Sequence, residues 1–143
     1  MDGGGRLDVS HWGDILSTAA KLRGLSGVVI DGACRDVDEI EATGLWLAAR
    51  HVTPLTGKTR LRLQAMGQPV IIGGVTVAEG DLVVGDDTGL VVVPRAQLEA
   101  VLAAAQQAQD TDARVEQGIR DGLSFAEAAA AANYIPARAG APA

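Results

Sequence analysis

Ser26-Gly27-Val28-Val29-Ile30-Asp31-Gly32-Ala33-Cys34-Arg35-Asp36 is the stretch on which the fold turns. Val28, Val29 and Ile30 are β-branched and do not alternate with polar residues, the pattern of a strand covered on both faces. Asp31-Gly32 reads as a turn at the end of that strand, so that Arg35 and Asp36 arrive together at the lip of a sheet. Arginine holds a carboxylate or an oxyanion through two parallel hydrogen bonds, and aspartate is a hard oxygen ligand suited to Mg²⁺. Together they could bind a metal-chelated oxo-acid. A local surface ion pair, or Asp36 as the N-cap of a following helix, would use the same two residues.

Upstream of this stretch, Trp12, Ile15, Leu16, Ala19 and Leu22 follow helical spacing, with Ser10 placed to cap the start and Gly24 to end it. Gly3-Gly4-Gly5 opens the chain as a permissive loop with no strand leading into it. Downstream, a short acidic helical turn over residues 37–42 closes at Gly44, and Leu45 to Ala49 reads as a second buried strand. Val70–Ile72, Val75–Val77, Leu82–Val84 and Leu90–Val93 are short strands separated by glycine- and aspartate-rich turns, which suggests antiparallel or barrel-like sheet. Pro94 ends the last of them. Leu98, Val101, Leu102 and Ala105 mark one face of a long helix, and Ser124 with Glu127 announces a capping box ahead of an alanine run. Residues 139–143 are expected to fray.

A chain of 143 residues with 21% charged residues and a mean hydropathy of +0.17 has the composition of an ordinary globular protein. Its net charge of −6 and pI near 4.7 give no electrostatic footprint for nucleic acid or an anionic membrane. The lone Cys34 excludes an intrachain disulfide framework and a cysteine zinc cluster. With no signal-like start and no apolar run of bilayer length, a cytoplasmic location is expected.

Other residues compete for a chemical role. The glycine triplet lacks a P-loop lysine. His11 and His51 are far apart and have no cysteine partners for a metal. Cys34 lies beside Arg35 but has no obvious base, and reads as a small packed residue. Asp81, Asp86 and Asp87 do not have the spacing of a calcium loop and suit interstrand turns. Asp14 falls in the first turn of the first helix, where backbone N–H groups are unpaired and the dipole favours negative charge. It could simply stabilise that helix. Alternatively, Gly13-Asp14-Ile15-Leu16 offers amide donors to a carboxylate while Asp14 touches a metal-bound water.

Several separate motifs agree in order and spacing: Gly13-Asp14-Ile15-Leu16, Val29 through Asp36, Val52-Thr53-Pro54, Gly73-Gly74-Val75-Thr76-Val77, and Gly80-Asp81-Leu82-Val83-Val84-Gly85-Asp86-Asp87-Thr88-Gly89 running into Leu90–Pro94. In this order they resemble the family of 4-hydroxy-4-methyl-2-oxoglutarate aldolases and the regulator of ribonuclease E activity, over about Gly3 to Gly122. The resemblance implies an α/β fold, a three-layer swivelling β/β/α domain over 1–122, followed by a C-terminal helix and tail over 123–143. It implies assembly as a homotrimer or dimer of trimers. The activity implied is a class II pyruvate aldolase, dependent on Mg²⁺ or another divalent metal such as Mn²⁺, that also decarboxylates oxaloacetate. Carried over by motif, Arg35 would bind the pyruvyl carboxylate and keto oxygen, Asp36 would hold the metal, and Asp14 would orient a metal-bound water. Gly13, Ile15 and Leu16 would complete the substrate site. A neighbouring subunit would donate an acid from the long C-terminal helix, where Asp112 is favoured over Asp110 and Glu116.

Non-catalytic regulators of the family lack the acid after the arginine, so Arg35-Asp36 favours the enzyme branch. Relatives also carry an upstream segment with a strand feeding the glycine loop, so a sheet edge and part of the interface are expected to be missing here. Two alternatives stand beside the enzyme: a protein-binding trimer like the ribonuclease regulator, and a phosphohistidine swivelling domain in which His11 carries a phosphoryl group.

Overall fold

The computed structural model describes residues 1–135, so the expected fraying of 139–143 lies outside the described residues. The chain divides into two compact units, Met1–Pro94 and a second beginning at Arg95.

The first unit is built on a parallel sheet of β1 (Asp2–Trp12), β2 (Gly27–Cys34) and β3 (Trp46–Val52), with α1 (Asp14–Leu22) and α2 (Val37–Ala42) in the two crossovers. Strand order is β1-β2-β3. The apolar run is therefore the central strand, and Ile30, Ala33 and Cys34 are buried. Trp12 pairs with Cys34, and Cys34 with Val52, so the three strands end level. In open parallel sheets the crevice beyond the carboxyl ends is where ligands bind.

The local structure differs from the sequence reading at four places. The central strand runs through Asp31-Gly32 without turning. Asp31 survives inside it because Arg50 forms an ion pair with one carboxylate oxygen and the Gly73 N–H donates to the other at 3.2 Å. Gly3-Gly4-Gly5 lies within β1, whose register steps from Asp2↔Asp31 to Arg6↔Gly32 to Ser10↔Ala33. Extra residues bulge out at each step, and the left-handed backbone of Gly4 and Gly5 permits the first bulge. Ser10 and Trp12 belong to that strand, and α1 begins at Asp14 behind Gly13, with no side-chain cap. The Ser10 N–H donates to the Leu55 carbonyl instead. Finally, the strand placed at Leu45–Ala49 runs from Trp46 to Val52 and is largely exposed, because it forms a sheet edge.

Beyond β3 come two separate antiparallel pairs, with no barrel among the described residues: β4 (Val70–Ile72) with β5 (Val75–Val77), and β6 (Leu82–Asp86) with β7 (Gly89–Val93). Their turns use the expected chemistry. Gly73 and Gly74 are left-handed, and Asp86 Oδ1 accepts from the N–H groups of Thr88 and Gly89.

In the second unit a 3₁₀ turn, Arg95–Gln97, leads into α3 (Leu98–Arg120) and then α4 (Phe125–Ala132). Ser124 and Glu127 form the reciprocal capping box at the start of α4. Val115, Ala128 and Ala132 are the buried contact between the helices. Among the described residues no helix is long and apolar enough to cross a membrane.

Candidate functional site

At their carboxyl ends β1 and β2 each hand over directly to a helix, and the two turns are tied together. The Arg35 N–H donates to the Trp12 carbonyl at 3.0 Å, which extends the ladder past the strand ends, and the Thr53 N–H donates to the Cys34 carbonyl at 2.9 Å. The Arg35-Asp36 turn is thus gripped from both sides. Asp36 takes a left-handed backbone, φ 57 and ψ 47, a conformation that aspartate tolerates better than most residues.

Arg35 Nη1 lies 2.9 Å from Asp36 Oδ2 and 3.2 Å from Oδ1. Asp36 makes no side-chain cap on its own helix. Its Oδ2 accepts from the Asp14 N–H at 3.3 Å, across 22 residues of sequence. Gly13 is what allows this approach. A Cβ there would stand 2.7 Å from Asp36 Oδ2 and 3.1 Å from Arg35 Nε and Nη2, although the Gly13 φ of −155 is ordinary extended backbone.

The structure therefore brings together Gly13, Asp14, Arg35 and Asp36. The N–H groups of Asp14, Ile15 and Leu16 belong to the first helical turn and have no acceptor within the helix; the first intrahelical bond is from Ser17 N–H to the Gly13 carbonyl. The side chains of Arg35 and Asp36 are 28% and 25% exposed. That is open enough for a ligand and shielded enough to strengthen charge interactions relative to the surface. A guanidinium and a carboxylate meet at the start of α1, beside the unpaired first-turn amides of Ile15 and Leu16, where a small anion with a second oxygen donor could be held.

Asp112 is exposed on α3 in the second unit, where Asp110 accepts from Gln106 and Glu116 pairs with Arg120. The His11 ring packs on the backbone of Gly3 and Gly32, where added Cβ atoms would lie 2.6–2.7 Å from it, and its Nδ1 is buried without a partner. Nδ1 is thus closed to a phosphoryl donor, while the ring as a whole is half-buried. His51 is exposed. Burial pushes the Cys34 thiol up, away from the reactive thiolate. An open groove of about 480 Å³ between α2 and β3 is lined by Cys34, Val37, Ile40, Leu45, Leu47 and Val52 among others, but includes neither Arg35, Asp36 nor Asp14.

Two arrangements escaped the reading of the sequence. A charged residue inside an apolar strand must be paired, so Asp31 carried a signal that pointed to a buried partner; Arg50 is that partner, and its guanidinium holds the Asp31 carboxyl below the usual carboxylate range. The second, a link from the Trp12 indole through Ser17 to Gly13, left no sequence signal.

The family model described as "RraA-like: Aldolase/RraA" matches residues 1–92 of this chain. The chain belongs to the RraA-like family. A protein of Halalkalibacterium halodurans provisionally named 4-hydroxy-4-methyl-2-oxoglutarate aldolase is 35% identical over 111 residues, covering 78% of this chain and 52% of that protein. An uncharacterized protein of Methanocaldococcus jannaschii is 34% identical over 84% of this chain and 57% of its own length. Among solved structures, an uncharacterized protein from Pseudomonas syringae superposes with a TM-score of 0.84 at 35% identity, covering 89% of this chain and 64% of that one. RraAS2 of Streptomyces coelicolor, described as an unusual member of the RNase ES inhibitor RraA protein family, gives a TM-score of 0.73 at 30% identity over 85% and 60% of the two chains. The α/β fold is thus that of the RraA-like proteins, and the chain spans little more than half the length of these relatives. Both aldolase and ribonuclease-inhibitor names occur among them.

Proposed function

We propose that this RraA-like chain is a divalent-metal-assisted pyruvate-forming lyase, acting on 4-hydroxy-4-methyl-2-oxoglutarate-type acids and decarboxylating oxaloacetate. The observation that carries this reading is the meeting of Arg35 and Asp36 with the start of α1 at Gly13-Asp14, where the Asp14 N–H holds Asp36.

The donor set suits Mg²⁺ or Mn²⁺. Among the described residues no group of three or more His, Cys, Asp or Glu is assembled for a metal, which does not resemble a closed zinc site. Mg²⁺ is instead held by one or two carboxylates and keeps several waters and substrate oxygens. Asp36 would be the protein ligand, and the bound cation would supply a Lewis acid toward the carboxylate and keto oxygens of the substrate.

In the proposed reaction the amides of Ile15 and Leu16 take the substrate carboxylate, while the Asp14 N–H holds Asp36. Arg35 donates to the keto oxygen. The C3–C4 bond breaks, its electron pair passes to C3 and the keto oxygen as an enolate, and the guanidinium stabilises the charge that develops there. Asp14, half-buried in the first turn of α1, moves the proton through a water: away from the C4 hydroxyl as its carbonyl forms, then to C3 to give pyruvate. No amine is required.

Purified protein incubated with oxaloacetate and Mg²⁺ is expected to release pyruvate and to stop when the metal is chelated. Turnover in excess chelator, or a substrate imine trapped by borohydride, would overturn the mechanism. The structural likeness to a ribonuclease inhibitor favours a second reading, a regulator-like protein-binding trimer. Absence of pyruvate formation together with specific capture of a ribonuclease would select it.

A further inference from the structure

The Gly13 carbonyl accepts from two donors of one residue, the Ser17 N–H and the Ser17 hydroxyl, each at 3.1 Å. The same hydroxyl accepts from the Trp12 indole, Nε1 to Oγ 2.7 Å, and Ser17 is 0% exposed. A serine hydroxyl has one proton to donate, and here it is committed to Gly13 while the indole fills an acceptor site. Bonding back to the carbonyl four residues earlier does little for a helix and tends to destabilise it slightly. The arrangement therefore calls for a reason other than helix stability.

Peptide geometry supplies one. A trans peptide is planar, and its C=O and N–H point in opposite directions. Fixing the Gly13 oxygen fixes the direction of the Asp14 N–H, which is the amide directed at Asp36 Oδ2. Gly13 is also the residue least able to hold its own conformation, and it must be glycine because Arg35 and Asp36 leave no room for a Cβ. We propose that Trp12 and Ser17 are positioning residues, which clamp the Gly13 peptide so that the Asp14 N–H holds Asp36 and the next amides of α1, Ile15 and Leu16, are presented to the carboxylate of a bound 2-oxo acid. This role rests on the function proposed above.

The test is a pyruvate titration of ¹⁵N-labelled protein in the presence of Mg²⁺, following the amides of residues 14–16 and the Trp12 indole, for wild type, Ser17→Ala, Trp12→Phe and the double variant. Mg²⁺ affinity and oxaloacetate kinetics are measured beside it. Each single substitution is expected to weaken pyruvate by roughly tenfold, the scale of one hydrogen bond. The KM for oxaloacetate should rise by a similar factor while Mg²⁺ affinity falls by a clearly smaller one, because Asp36 keeps its carboxylate and its pairing with Arg35. The double variant should be no worse than the poorer single, because the two residues act as one chain. Should Ser17→Ala fail to fold, Trp12→Phe alone carries the comparison. Wild-type pyruvate affinity in the folded variants, or an equal loss of pyruvate and Mg²⁺ affinity, would overturn the positioning role. A wild-type protein that binds no pyruvate would remove the functional reading itself, and this role with it.

Discussion

The central strand β2 and the hairpin β6–β7 are written in nearly the same residues and have opposite surroundings. Ile30 is 2% exposed and Ala33 0%, whereas Val84 is 53% and Val91 61% exposed. Pairing separates them. β2 has a parallel neighbour on each side, while β6 and β7 pair with each other. β-Branched density thus says that a surface is to be covered, but not that the same chain covers it. In β2 the cover is intramolecular and leads to a rigid, shielded turn that presents chemistry. In the hairpins the apolar faces are open, and we read them as surfaces for association, in keeping with the expected trimer or dimer of trimers.

The sharpest way to break this contrast is to alter the end of β2 without touching its pairing. Asp36→Asn keeps size and loses the anionic ligand, so Mg²⁺ affinity and rate should fall together, the rate by roughly a hundredfold or more. Arg35→Lys keeps the charge but loses the planar two-pronged donor; Mg²⁺ binding should survive while turnover drops by roughly a hundredfold. Calorimetric Mg²⁺ titration beside oxaloacetate kinetics separates the two. Wild-type turnover in Arg35→Lys would end the enolate-stabilising role.

The hairpin makes the opposite prediction. Val91→Lys puts a charge on the most exposed valine of β7, and sedimentation should show a smaller species while far-UV circular dichroism stays unchanged. A wild-type protein that is a monodisperse monomer at micromolar concentration would remove the association reading.

The smallest effect concerns what holds β2 in register with its surroundings. The ion pair with Arg50 depresses the folded-state pKa of Asp31. Its stabilisation is therefore present at neutral pH and is lost as pH falls through the ordinary carboxylate range, near 4, toward the lowered folded value. Arg50→Met should lower the melting temperature modestly at neutral pH, since Arg50 is half-exposed. The gap from wild type should narrow in acid. A gap that stayed constant or widened would locate the loss elsewhere.

Much of this was legible in the chain. The Val28–Ile30 run marked the central strand, the four downstream strands fell where their valines and glycines placed them, and Ser124 with Glu127 marked α4. Of the candidate site, Arg35 and Asp36 were legible as neighbours at the end of that strand and Asp14 as a first-turn residue, while the helix start was read too early, at Ser10 and Trp12 rather than Gly13-Asp14. What could not be read was set by partners distant in sequence. Ser10 looked like a helix cap until a bond to Leu55 drew it into a strand. Asp31-Gly32 looked like a turn until Arg50 and Gly73 satisfied the carboxylate in place. Local propensity proposes, and a tertiary hydrogen bond decides.

The left-handed backbone at Asp36 has a consequence for how such a protein can drift. Most side chains are strained in that conformation by about 1 kcal/mol or more, while glycine, asparagine and aspartate are favoured there. The position therefore accepts a very short alphabet, and only one letter of it carries a negative charge. Glutamate would keep the charge but strain the turn and move the oxygens. Asparagine or glycine would keep the turn and discard the ligand. Loss of chemistry at this position is therefore a smaller step than loss of fold, and a lineage that abandoned the reaction could retain the scaffold intact and put its surfaces to other use.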